Sequence, residues 1–215
     1  MGLKSTHFIP VSEGIHHEAT TTAYSLRPPV TDEDIQHWKK FRAGDRHAFV
    51  RLYYQHIDAL YHYGERLSSD KSLVEDCLQD LFAELWSRQA QLPEVTTVKF
   101  YLFKALKRKI VKRKTQQQRF LLNEDGEGYD FEIVFPPDFE FSAYQVSPAQ
   151  KQRVLFAVNQ LTPRQKEVIT LRFYDNFSYD EIGEIMSLSA RSVYNLTYRA
   201  LAMLRRALDA NTNQR

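Results

Sequence analysis

One cysteine, Cys77, in a chain of 215 residues leaves no internal disulfide to be made and suits a reducing compartment. Seven glycines and eight prolines are too few for a loop-dominated or all-β fold. No apolar run approaches the roughly 20 residues that a membrane span needs. The N-terminus has no hydrophobic stretch of the kind a secretory signal carries. Net charge is small as well, at +2 from 29 basic and 27 acidic residues. Charge is nevertheless unevenly spread. Residues 99–119, "KFYLFKALKRKIVKRKTQQQR", hold nine Lys or Arg and no acid. Residues 123–140, "NEDGEGYDFEIVFPPDFE", hold seven acids and no base.

Hydrophobic residues make up 43% of the chain, enough for one core or two small ones. Residues 1–30 are polar and aperiodic and read as a disordered tail. All seven histidines precede residue 63 without metal-ligand spacing, so no metal or other cofactor is expected. Thr31 followed by "DED" predicts a helix N-cap with acids in the first turn. Further helices are expected from Asp45, with Phe49, Leu52, Tyr53, Leu60 and Leu67 on one side, and from Asp70. In the latter, Leu73, Val74, Cys77, Leu78, Leu81, Phe82, Leu85 and Trp86 keep the i, i+3, i+4, i+7 pattern, which makes Cys77 a core residue. "QAQLPEVTT" breaks that helix, and the basic segment forms the next. Residues 121–146 lack helical periodicity and read as an acidic tether. Ser147-Pro148 opens a second helical unit over 147–215. Thr162–Gln165 and Ser178–Glu181 form capping boxes, and Ser189 caps a last helix running to about Leu208. The expected fold class is all-α, with two small helical domains at 31–120 and 147–215.

On the basic helix, Leu102, Phe103, Leu106 and Ile110 share one face. Tyr101, Lys104, Arg108 and Lys112 form a stripe on the opposite face, which Lys107 and Lys114 flank. Like charges at i, i+4 repel, and a polyanion is the partner that would answer them, the alternative being a solvated Lys-rich face. A nearby aromatic ring can stack on an unpaired base. The segment "FSYDEIGEIMSLSARSVYNLTYRALAMLRR" has helix-turn-helix spacing over about 178–201. Ile182, Ile185 and Met186 point inward, Gly183 permits close helix crossing, and Leu188 plugs the turn. Val193, Leu196, Ala200 and Leu204 face the core from the second helix. Arg191, Ser192, Tyr194, Asn195, Tyr198 and Arg199 project outward, where Arg can read guanine and Asn adenine.

Both units together resemble a sigma factor of bacterial RNA polymerase, of the extracytoplasmic-function group in the sigma-70 family. "VEDCLQDLFAELW" resembles the helix of region 2 that binds the polymerase clamp. The resemblance places Asp76, Gln79 and Asp80 on the polymerase-binding positions. The basic helix is similar to the promoter-melting and minus-ten segment, with Tyr101-Leu102-Phe103 as its aromatic part. It departs at Arg108 and Lys112, where Asn and Asp are usual. Residues 161–205 resemble region 4, which binds the minus-thirty-five element. They depart at Tyr194 and Leu196, where Lys and Arg are common.

The resemblance implies core RNA polymerase and promoter DNA as partners, together with an anti-sigma factor. It also implies transcription initiation, a cytoplasmic location and no catalysis. It implies that the acidic tether threads the RNA-exit path. Its aromatics, Phe131, Phe135, Phe139, Phe141 and Tyr144, favour docking over a plain spacer. The alternative is a conventional helix-turn-helix regulator with an N-terminal sensor. A nuclease would need clustered carboxylates, and the acids here lie on helix faces or in the tether.

Overall fold

The computed structural model describes residues 32–121, 131–133 and 148–210, and every regular element in them is helical. The expected N-terminal tail, the Thr31 cap, Ser147 and most of the acidic tether lie outside the described residues. Helices α1 (Asp32–Arg42), α2 (Arg46–Leu67), α3 (Lys71–Ser87) and α4 (Val98–Leu121) form the first unit. Helices α5 (Pro148–Asn159), α6 (Pro163–Ile169), α7 (Tyr179–Met186) and α8 (Ala190–Ala210) form the second.

The starts of the helices follow from local chemistry. The Asp45 carboxylate accepts from the backbone N–H groups of His47 and Ala48 at the head of α2, and its pKa is lowered mainly by the bond from Ala48. Asp70 does the same for Leu73 at the head of α3. Between α3 and α4 the chain makes a short 3-10 turn at Gln89–Gln91 and then runs extended. The Trp38 indole donates to the Pro93 carbonyl at 3.0 Å, which fastens this loop to α1.

In the first unit α4 packs on both α2 and α3. Its Leu102, Phe103, Leu106 and Ile110 are fully buried, as their spacing predicts. The apolar stripe of α3 is buried from Leu73 to Leu85, Cys77 included. Trp86 departs from the expectation and is 36% exposed. It sits at the edge of the stripe, with its ring against Phe41 and Phe49 and its other side in solvent. Where α2 crosses α3, a Cβ on Gly64 would lie 2.5 Å from Val74 Cγ1.

In the second unit α8 is the spine, packed by α5, α6 and α7. Both expected capping boxes are present, at Thr162 and Ser178. Ser189 Oγ accepts from the Ser192 N–H at 3.2 Å, so it caps α8 as expected. Helix α6 continues into a π-helical turn at Thr170–Tyr174, after which Asn176 adopts a left-handed φ of 59°. The sequence gives no sign of that turn. The two units also share one hydrophobic core, in which Phe103 of α4 meets Phe177, with ring centroids 5.1 Å apart.

Gly64→Ala should lower stability by about 1–2 kcal/mol, because Val74 is β-branched and has no alternative helical rotamer to retreat into. Thermal unfolding of Gly64→Ala alone and with Val74→Ala checks this. The second substitution should recover part of the loss, and two additive losses would contradict the close contact.

Candidate nucleic-acid interface

The nine bases of α4 do not form one solvated stripe. Lys107 lies four residues after Phe103 and three before Ile110, so the helical repeat puts it on the apolar face. The structure buries it at 6% exposure, which corrects the expectation that it flanks the basic stripe on the opposite face. Its Nζ donates to Glu167 Oε1 at 2.8 Å. Glu167, from α6, has no exposed surface. The Tyr63 hydroxyl of α2 donates to the same oxygen at 2.7 Å. Burial lowers the Lys107 pKa, and the Glu167 charge opposes that shift only in part. Burial also drives the Tyr63 hydroxyl well above the ordinary tyrosine range, and Glu167 adds to the rise, so this phenol stays a donor.

Other bases of α4 also find partners within the chain. Lys99 pairs with Asp175 at 3.0 Å and Lys104 with Glu184 at 2.6 Å, both from the second unit. Lys109 pairs with Glu84 of α3 at 2.7 Å and lowers that carboxylate's pKa. Arg113 forks across Asp76 and Asp80. Lys114 donates to the Leu67 carbonyl at 3.0 Å, at the C-terminal end of α2. Six of the nine bases therefore answer acids or carbonyls that are distant in sequence, and a polyanion is not the only solution to their repulsion. Arg108 and Lys112 are exposed and keep the outward face basic. Tyr101, expected to be free for stacking, is half-buried, with its ring 5.2 Å from that of Trp38. Burial raises its hydroxyl pKa.

On α3, Asp76, Gln79 and Asp80 are exposed on one face while Cys77 and Leu81 are buried beneath them. The helical period alone dictates this split, and the Arg113 fork pins the two acids one turn apart.

The helix-turn-helix is built by α7 and α8. Ser187 ends α7 in the left-handed region at φ 56°, and the Leu188 N–H returns to the Gly183 carbonyl at 2.7 Å. A Cβ on Gly183 would lie 2.7 Å from the Leu188 carbonyl oxygen, so only glycine fits this turn. Ile182, Ile185, Met186, Val193 and Ala200 are buried as expected, while Leu188, Leu196 and Leu204 are half-buried. Arg191, Ser192, Tyr194, Asn195, Tyr198 and Arg199 are all exposed. The structure thus brings this second candidate set onto one open helix face. The Tyr194 ring meets the Tyr179 ring at 5.8 Å, which steadies one edge of that face.

Tyr63, Glu167 and Asp175 escaped the sequence reading. A signal was present for Glu167, an acid next to Val168 and four residues before Leu171 on a buried face. Its partner on α4 is 60 residues away.

Among the described residues no helix is long and apolar enough to cross a membrane, and no cluster of His, Cys, Asp or Glu could hold a metal ion.

Residues 52–120 match the family model Sigma-70 region 2, and residues 151–204 match Sigma-70, region 4. Among curated proteins the chain is 28% identical to the ECF RNA polymerase sigma factor BldN of Streptomyces coelicolor, over 85% of this chain and 70% of that protein. It is 24% identical to the ECF RNA polymerase sigma factor SigK of Mycolicibacterium vanbaalenii, over 84% of this chain and 92% of that one. Two solved structures share the fold. The sigma factor RpoE of Bartonella quintana, in complex with the anti-sigma factor NepR, has a TM-score of 0.55 at 22% identity, over 78% of this chain and 98% of that one. CnrH in complex with the cytosolic domain of CnrY has a TM-score of 0.52 at 21% identity, over 83% and 99%. With a region 2 match followed by a region 4 match, relatives of the extracytoplasmic-function group along most of its length, and the shared all-helical fold, this chain belongs to the sigma-70 family as a sigma factor for promoter-specific transcription initiation.

Proposed function

We propose that this sigma factor divides its work among three faces. Asp76, Gln79 and Asp80 on α3 bind core RNA polymerase. Tyr101, Lys104, Lys107, Arg108 and Lys112 on α4 hold the opened strand of the minus-ten region. Arg191, Ser192, Tyr194, Asn195, Tyr198 and Arg199 on α8 read the minus-thirty-five element in the major groove. Residues 31–120 carry region 2, 121–146 the tether and 147–215 region 4. The observation that carries this reading is the exposure of all six α8 residues beside a turn whose Leu188 carbonyl packs against Gly183, where no larger residue fits.

Arg108 and Lys112 supply phosphate contacts that need no rearrangement. Lys104 and Lys107 can reach a strand only after leaving Glu184 and Glu167. Tyr101 offers the exposed part of its ring to an unpaired base. The chain supplies no reaction of its own, since the polymerase carries the chemistry, and it works in the cytoplasm where the chromosome lies. RpoE and CnrH were each solved with a second protein, NepR and CnrY. An anti-sigma factor is the corresponding partner here. Run-off transcription with core polymerase and a promoter library tests the whole reading. No start site beyond that of core alone would defeat it.

Asp80→Arg should abolish co-elution with core polymerase. It should change the chain's own stability by no more than about 1 kcal/mol, because Asp80 and Arg113 form an exposed pair. Size-exclusion chromatography with core, alongside thermal melting, reads both.

Base-reading and phosphate-binding residues should separate in a promoter-library assay. Arg191→Ala or Asn195→Ala should cost about 1–3 kcal/mol at the preferred element and relax selection at one upstream position. Arg199→Ala should weaken every promoter alike and flatten the salt dependence by about one unit of slope. One shared sequence profile for all three variants would show that α8 does not read bases this way.

A further inference from the structure

Two tyrosines stand among the exposed α8 residues, and Tyr194 is the one nearer the head of the helix. Its neighbours Arg191 and Asn195 carry hydrogen-bonding groups, whereas Tyr194 presents a ring that is 56% exposed. A ring cannot neutralise a phosphate. This ring is nevertheless held at a set angle. Its centroid lies 5.8 Å from that of Tyr179, with the two planes at 72°, an edge-to-face pair. Tyr179 is the first residue of α7, so the capping box between Ser178 and Glu181 fixes its backbone. The Tyr179 ring is held in turn by Arg172, whose guanidinium carbon sits 4.9 Å from the ring centre. Arg172 donates to the Phe177 carbonyl at 2.9 Å, and the Phe177 side chain is buried. Contacts thus run from the π-helical turn, through the head of the first helix of the helix-turn-helix, to one side chain on the second. Every member belongs to region 4, so the brace travels with α8 wherever that helix docks.

We propose that Tyr194 reads the 5-methyl group of a thymine in the major groove, with Tyr179 and Arg172 as the positioning residues that fix the angle of its ring. This role rests on the base reading proposed for α8 and names what one of its side chains recognises. The methyl is the apolar feature that a thymine shows on its major-groove edge, and an apolar side chain recognises it by contact. Tyr194 follows Arg191 by three residues and precedes Asn195, so it shares the half of α8 that meets base edges in this kind of docking. Arg191 and Asn195 have donors and acceptors for guanine and adenine, but no surface suited to a methyl group. The brace matters because one methyl gives little. A freely turning side chain gives up rotamer freedom on binding, which would consume much of that gain. A ring already held at one angle keeps it.

The test uses holoenzyme assembled from core polymerase and the full chain, bound at equilibrium to the duplex promoter that a promoter library selects. Each thymine of the upstream element is replaced in turn by deoxyuridine, which removes the methyl and nothing else. One position should lose about 4-fold in affinity, the worth of one buried methyl. Tyr194→Phe should keep that loss, since the ring makes the contact and the hydroxyl does not. Tyr194→Ala should bind the thymine and deoxyuridine promoters alike. Tyr179→Leu removes the bracing ring and should cut the methyl effect to less than about 2-fold, while Tyr179→Phe should retain it in full. Thermal unfolding shows which variants fold, and Arg172→Gln repeats the positioning test without touching the head of α7. A selected element with no thymine would overturn the assignment. So would a parent indifferent to the methyl at every position, or a methyl effect that survives Tyr194→Ala or vanishes in Tyr194→Phe. A folded Tyr179→Leu or Arg172→Gln that keeps the full effect would remove the positioning role. Arg191→Ala separates these failures from that of α8 as a whole. If it relaxes selection while the methyl counts for nothing, base reading stands and the part given to Tyr194 falls. Unchanged selection in both Arg191→Ala and Tyr194→Ala would sink base reading itself.

Discussion

A carboxylate with no exposed surface must have its charge answered inside the protein, and Glu167 is such a group. Its answer comes from Tyr63 on α2 and Lys107 on α4, residues 104 and 60 positions away. That demand fixes how α6 approaches the first unit, and with it how α7 and α8 are presented. It also explains a lysine on the apolar face of α4, which would be a defect if the first unit stood alone. The hydrophobic contact between Phe103 and Phe177 supplies attraction, but a ring contact tolerates sliding. The hydrogen-bonded charge sets the register.

Most of the fold was legible in the sequence because most of it is local. Asp45, Asp70, Thr162, Ser178 and Ser189 cap helices where their side chains and positions say they should. The α3 stripe and the apolar face of α4 follow from 3.6-residue spacing, and the exposed set on α8 is the complement of its buried one. What was not legible is pairing across the chain. The excess charge of α4 can be read as a call for nucleic acid, yet much of it is met by Glu84, Asp76, Asp80, Glu167, Asp175 and Glu184. No spacing rule connects those residues to α4, because their neighbourhood exists only after folding. The π-helical turn at Thr170–Tyr174 escaped for a related reason, since Asn176 and the docking of Phe177 settle it.

The departures from the family's usual residues on α8 also gain a physical account. Leu196 is half-buried and packs against the core, so a charge there would have to reach past its neighbours to touch DNA. Tyr194 is exposed but braced edge-on by Tyr179, whose other face carries the Arg172 guanidinium 4.9 Å from the ring centre. The exposed face of α8 is thus stiffer and more aromatic than a Lys or Arg pair would make it. Long flexible cations grip backbone phosphates at many angles. A braced phenol ring offers one orientation, which under the proposed role of α8 favours discrimination over grip.

The single thiol has a consequence outside DNA and polymerase altogether. Cys77 lies sealed in the α3 stripe, and burial raises its pKa above the ordinary thiol value. An oxidant attacks thiolate and needs access to it, and this side chain offers neither. With no second cysteine in the sequence, this thiol has no partner for an internal disulfide. The sulfur therefore serves as a small apolar filler of the helix stripe, and its redox chemistry is closed off by packing.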